Sequence, residues 1–198
     1  ALYVADCRRM GLKVEPPDVN TSDWDFSIED RPNGEAVIRF GLGAIKNVGL
    51  APVEAILRGR EDRPFKDLND FTRRVDLRLV SKRVLECLIK VGALDCFGSR
   101  NGLLETMDRI LSVSASHYRA LESGQMSLFG VHTGVEENIS LPKTSGITNR
   151  REVLNWEREL IGLYVSDHPL NPVIDELTEA VTHFSGQLSE AQPQERVR

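Results

Sequence analysis

The sequence predicts a mainly α-helical protein with a small β-hairpin near its start and a long loop late in the chain. Three observations carry that reading. Apolar residues recur at helical spacing between residues 52 and 122 and again after 149. A short alternating stretch with turn chemistry, "DWDFSIEDRPNGEAVIRF", precedes them. Residues 123–148 hold Gly, Ser, Thr and Pro with little periodicity, and loops of that length are usually functional or disordered.

Taken in order, residues 2–10 read as a helix that stops at Gly11. "LKVEPPDVN" must run extended, because Pro16 and Pro17 exclude a helix. Trp24, Phe26 and Ile28 alternate, the pattern of a half-buried strand with those three side chains inward. "RPNGE" supplies a turn, and "AVIRFGLG" returns as a second strand. "APVEAILRGRE" is a helix with Pro52 in its first turn. "FKDLNDFTRRVD" sets Leu68 and Phe71 on one helical face. "VSKRVLECLIK" has Ser81 as N-cap and Val84, Leu85, Leu88 and Ile89 as its buried stripe. Ser99 caps a longer helix bearing Leu103, Leu104, Met107, Ile110 and Leu111, whose polar later half is expected to be less regular. "NRREVLNWERELIGLYV" resumes as helix, "SDHPL" turns, and "PVIDELTEA" reads as a short helix.

Composition limits the function classes. The chain has 198 residues, 40% hydrophobic and 28% charged, which fits a folded protein and excludes a disordered one. No apolar run approaches membrane-span length. The start lacks both an initiator Met and a signal-peptide pattern, so the chain is expected to come from the middle of a longer one. Cys7, Cys87 and Cys96 are few and far apart, as in a reduced cytoplasmic protein, and no Cys/His spacing suggests a metal. Asp23/Asp25 and Glu157/Glu159 are the paired acids. Each pair neighbours large apolar residues and reads as the wet face of its element rather than as a metal site. No catalytic residue is expected in this chain.

The net charge is −5, yet residues 39–100 hold thirteen basic residues against eight acidic ones. A basic stretch inside an acidic chain points to a local anionic partner. "FGLGAIKNVGLAPVEAI" gives that partner a place. A short helix near Ala44–Lys46 meets the turn Asn47-Val48-Gly49, and a second helix follows. The turn is expected to need φ > 0, which Gly49 adopts freely and Asn47 tolerates, while Val48 points inward. Free N–H groups at the start of the second helix suit a phosphate, with Lys46 adding charge. This is the helix-hairpin-helix pattern, which grips the backbone of DNA without reading bases. A second candidate runs from "LECLIK" through a turn bounded by Gly92 and Gly98 to the helix capped by Ser99, with Lys90 and Arg100 beside it. Lys82 and Arg83 complete the candidate DNA-binding set. The fold class is therefore a tandem helix-hairpin-helix domain with flanking helices and a long loop. A hairpin module of a DNA repair nuclease or ligase is the alternative, although no catalytic cluster accompanies it. A helical scaffold without a DNA role is the third.

"GLKVEPPDVNTSDWDF", "IRFGLGAIKNVG", "VSKRVLECLIKVGALDCFG" and "ERELIGLYVSDHPL" resemble, in order, the alpha subunits of bacterial DNA polymerase III, the C-family replicative polymerases. The resemblance runs nearly end to end. It implies the end of a fingers domain at 1–40 and a duplex-binding tandem hairpin domain at 41–122. It further implies a loop with a sliding-clamp-binding peptide at 123–148, a helical closing segment at 149–180, and a truncated linker toward an OB-fold at 181–198. The clamp peptide of that family falls on Gln125, Met126, Ser127, Leu128 and Phe129. The implied partners are primer-template duplex, the bacterial sliding clamp and other replicase subunits, in a cytoplasmic, nucleoid-associated setting. The full-length relative is implied to be a DNA-directed DNA polymerase, a nucleotidyltransferase that uses Mg2+. Its palm carboxylates are expected to lie before residue 1, which leaves this segment without a cofactor and inactive alone.

Overall fold

The computed structural model describes residues 6–7, 10–32, 34–122, 138–142, 149–174, 176 and 180–181. The chain divides into two compact units, Ala1–Ser166 and Asp167–Arg198. In the second unit, the described residues include a 3-10 turn at Asn171–Val173, where the short helix is expected.

The first unit is mainly helical with a small sheet, and its helices form a tandem helix-hairpin-helix. Three strands form the sheet: β1 (Val14–Glu15), β2 (Ser27–Asp30) and β3 (Ala36–Arg39), in the order β1-β3-β2. β2 and β3 make the expected antiparallel hairpin, and β1 adds a parallel strand from the segment that Pro16 and Pro17 keep extended. The inward face of β2 is the reverse of the expected one. Ile28 is 76% exposed and Phe26 is exposed, while Glu29 turns toward the protein. The cause is Arg39. It is buried on β3, and Glu29 accepts from its Nε and Nη2 at 2.8 and 2.6 Å, while Pro16 O accepts from Nη1. A buried guanidinium needs its carboxylate beside it, and this need outweighs the burial of one isoleucine. Asp23 and Asp25 precede the strand rather than lining it. Both are exposed, and Asp23 pairs with Arg60 at 2.8 Å.

Among the described residues, five α-helices follow. They are α1 (Leu50–Arg60), α2 (Leu68–Arg74), α3 (Lys82–Lys90), α4 (Arg100–Glu122) and α5 (Arg150–Leu160). Their caps explain their starts. Asp67 accepts from the Asp70 amide, Ser81 from Val84, Ser99 from Gly102 and Asn149 from Arg151. The later half of α4 is regular to Glu122, because Ser114 in its middle is buried. Its Oγ donates to Val75 O and accepts from the Leu77 amide. A polar residue there serves the α2–α3 connection instead of breaking the helix. Ile56, Phe71, Leu85, Leu88, Ile89, Leu103 and Ile110 fill the core between these helices.

Candidate nucleic-acid interface

The first hairpin starts with a 3-10 turn, Leu42–Ala44, and passes through Lys46-Asn47-Val48-Gly49 into α1. Val48 is 7% exposed and anchors the turn, while Lys46, Asn47 and Gly49 are exposed. The left-handed residue is Asn47, at φ 68°. Gly49 lies in the extended region at φ −94°. The glycine is therefore not needed for its backbone angle. A Cβ at Gly49 would meet nothing within 4 Å, so the front of α1 is open space. Gly49 caps α1 without a side chain, and the amides of Gly49, Leu50 and Ala51 meet no acceptor among the described residues. An open helix start with exposed donors is a ready anion site.

α3 completes it. Arg83, in the first turn of α3, donates from Nη2 to Asn47 Oδ1 at 3.4 Å. Asn47 Nδ2 in turn lies 3.7 Å from Cys87 Sγ on the same helix. Lys82 is exposed beside Arg83, and its ion pair with Asp108 at 2.6 Å joins two solvent-washed side chains. Such a pair is weak and does not withdraw Lys82 from a stronger anion. Arg83 of the second hairpin is thus brought beside the turn that carries Lys46 and leads into the open start of α1.

The second turn is different. Val91, Gly92, Ala93 and Leu94 are buried, and Ala93 O accepts from the Val19 amide at 2.9 Å. Gly92 adopts φ 87°, and a Cβ there would collide with the Arg100 guanidinium and with Asp95 Oδ2. Arg100 is 9% exposed. Asp95 accepts from its Nε and Nη2, and Lys90 O accepts from its Nη1 at 2.9 Å. Arg100 and Gly92, expected to face phosphate, instead form the internal brace of the second hairpin. The physical reason is that this turn is long and apolar and folds into the core. Gly98, at φ 148°, lies against the Leu141 side chain, and Ser99 spends its hydroxyl on the Gly102 amide. Lys90 is half-buried, donating to Glu86 at 2.6 Å with its ammonium 5.7 Å from the Trp156 ring. Gln125, Met126, Ser127, Leu128 and Phe129 lie outside the described residues.

Glu157 also departs from expectation. It is fully buried rather than wet, because it shares the inner face of α5 with Leu154 and Leu160. Spacing of three from each leucine was the signal for this, and adjacency to Trp156 hid it. The contact between Arg83 and Asn47 had no sequence signal, since they are far apart in the chain. Among the described residues, no group of three or more His, Cys, Asp or Glu is placed to hold a metal ion. No helix among them is long and apolar enough to cross a membrane.

These features define a helix-hairpin-helix protein with one open turn, and a helix-hairpin-helix motif family matches residues 11–103. Curated relatives extend the similarity over nearly the whole chain. The DNA polymerase III subunit alpha of Vibrio cholerae is 41% identical over 196 residues, covering 98% of this chain and 16% of that protein. The subunit of Thermus aquaticus is 40% identical over 197 residues, covering 94% and 15%. That of Campylobacter jejuni is 36% identical over 181 residues, covering 89% and 15%. The chain is a homologue of a segment of the DNA polymerase III alpha subunit, and it spans about a sixth of the length of these relatives.

Proposed function

We propose that this chain is the duplex-holding and clamp-tethering segment of a bacterial replicative DNA polymerase. The observation that carries the DNA half is the open start of α1, with three amides that meet no acceptor among the described residues, next to Lys46, Asn47 and Arg83. Those donors and cations suit the phosphate backbone, so binding is strongly salt-dependent and indifferent to sequence. One open turn and one buried turn favour a single principal phosphate grip, with Lys82 extending it along the strand.

The clamp half rests on the peptide Gln125–Phe129. Burying Leu128 and Phe129 in a clamp pocket contributes about 1.5–3 kcal/mol each. A hydrogen bond from Gln125 adds about 1 kcal/mol. Ordering the peptide and association oppose this, so the isolated peptide binds at roughly micromolar Kd. Simultaneous hold on DNA raises the effective concentration, and a weak peptide then suffices for processivity.

The whole protein is proposed to be a cytoplasmic, nucleoid-associated DNA-directed DNA polymerase working with Mg2+ and other replicase subunits. The paired acids of this chain do not fit that metal. Asp23 is taken by Arg60, and Glu157 is buried against Arg100. The segment alone is therefore expected to show no nucleotide incorporation. Calorimetric titration against the bacterial sliding clamp, and fluorescence anisotropy with a primer-template duplex across a salt series, test the two halves. Salt-independent or absent duplex binding sinks the first half. Absent clamp binding sinks the second.

A further inference from the structure

The turn bearing Lys46 and Asn47 is held at both ends by elements outside its own hairpin. Asn47 meets Arg83 and Cys87 of α3. The Lys46 amide donates to Leu160 O at 2.9 Å, and Leu160 is the last residue of α5. Carbonyls at a helix C-terminus lack partners inside the helix, so an outside amide satisfies one of them. Where that carbonyl points depends on how α5 ends.

Glu157 governs that end. It lies about one turn before Leu160 and is fully buried. Its Oε2 accepts from the amides of Val165 at 2.9 Å and Ser166 at 3.1 Å, which folds the chain after Gly162, at φ 83°, back over the helix end. Its backbone carbonyl accepts from the amides of Ile161 and Gly162. Its Oε1 has no hydrogen-bond partner among the described residues and stands 3.9 Å from Arg100 Nη1. Arg100 is braced in the second hairpin by Asp95 and by Lys90 O. Contacts therefore run from Arg100 through Glu157 and the α5 end to Lys46. A buried carboxylate is costly unless its partners compensate, so this side chain is poorly replaced by simple packing.

We infer that Glu157 is a positioning residue for the open turn of the first hairpin. By folding residues 162–166 over the end of α5, it holds the Leu160 carbonyl that fixes the Lys46 amide. Lys46 and Asn47 thereby stay in register with Arg83. The consequence for DNA rests on the phosphate reading proposed above, whereas the coupling of Glu157 to Lys46 does not.

Native-state amide hydrogen exchange on the wild-type chain tests the coupling. The amides of Lys46, Val165 and Ser166 are expected to exchange through one shared opening with one denaturant dependence, distinct from that of Ile56 inside α1. Glu157→Ala is expected to speed Lys46 exchange about tenfold or more relative to Ile56. Glu157→Gln keeps an acceptor oxygen and restores most of the protection. Duplex affinity is expected to fall in the alanine variant and recover in the glutamine variant. Independent opening of Lys46 and Val165 in the wild type overturns the inference, and so does uniform acceleration of all amides in both variants. The wild-type comparison decides even if Glu157→Ala does not fold. Shared opening with Lys46→Ala leaving duplex affinity intact supports the positioning role and removes the phosphate reading instead.

Discussion

Arg83 reaches across from the second hairpin to Asn47 in the turn of the first, Nη2 to Oδ1 at 3.4 Å. The contact sets a guanidinium beside the open start of α1, and it depends on Asn47 holding φ 68°. A non-glycine residue in that region costs about 1–2 kcal/mol, which asparagine partly recovers through its side chain. Asn47→Ala gives up that recovered part together with the side-chain contacts, and is therefore expected to lower stability by about 1 kcal/mol. Asn47→Gly is expected to keep the turn and lose only the contacts to Arg83 and Cys87. Urea denaturation of the two variants checks this, and equal stability of Asn47→Ala and wild type contradicts it.

Lys46→Ala and Arg83→Ala are each expected to weaken duplex binding and to reduce the slope of log affinity against log salt by about one. Arg100→Ala is expected to act on stability instead, by about 1–3 kcal/mol, because it leaves the buried Glu157 without its nearby cation and the Lys90 carbonyl without its donor, while the exposed Asp95 is re-solvated. Anisotropy titrations at several salt concentrations, run beside thermal melts, separate the two behaviours. A normal melt with a reduced salt slope for Arg100→Ala reverses the assignment.

Leu128→Ala combined with Phe129→Ala is expected to abolish clamp binding and leave duplex affinity near wild type. The measurement is calorimetry for the clamp and anisotropy for the duplex on the same preparation. Clamp binding that survives the double change removes Gln125–Phe129 from the interface.

Asp70 sets an acid limit. Burial pushes its carboxyl up, but hydrogen bonds from Arg63, the Lys66 amide and Arg74 outweigh burial and hold it down at about 2. A carboxyl depressed in the folded state contributes stability that is full above its unfolded value and is lost as pH falls toward its folded one. The loss is expected between about pH 4 and pH 2. Asp70→Asn is expected to flatten that part of the stability profile, measured by urea midpoints at stepped pH. An unchanged acid slope in Asp70→Asn contradicts the assignment.

Gly92→Ala is expected to be among the most damaging small changes. It forces a left-handed angle on alanine, about 1–2 kcal/mol, and drives its methyl into the Arg100–Asp95 pair, about 1–3 kcal/mol more. Chemical denaturation reads the total, and a loss below about 1 kcal/mol refutes the brace.

The sequence by itself determined the helices from α1 to α5, two of their caps and the place of the first hairpin. Ser81, Ser99 and the stripe Val84, Leu85, Leu88 and Ile89 act through neighbours three and four residues away, so local spacing is enough to read them. The inward burial of Val48 was legible for the same reason. Only the tertiary structure decided which face of β2 is inward, because Arg39 demanded Glu29 there. Only it showed that the turn around Gly92 is core and that Glu157 is buried. It alone placed Arg83 against Asn47 and Leu160 against Lys46. Those outcomes depend on charges, amides and carbonyls finding partners on other elements. Their partners exist only once the helices have packed, and no local period records them.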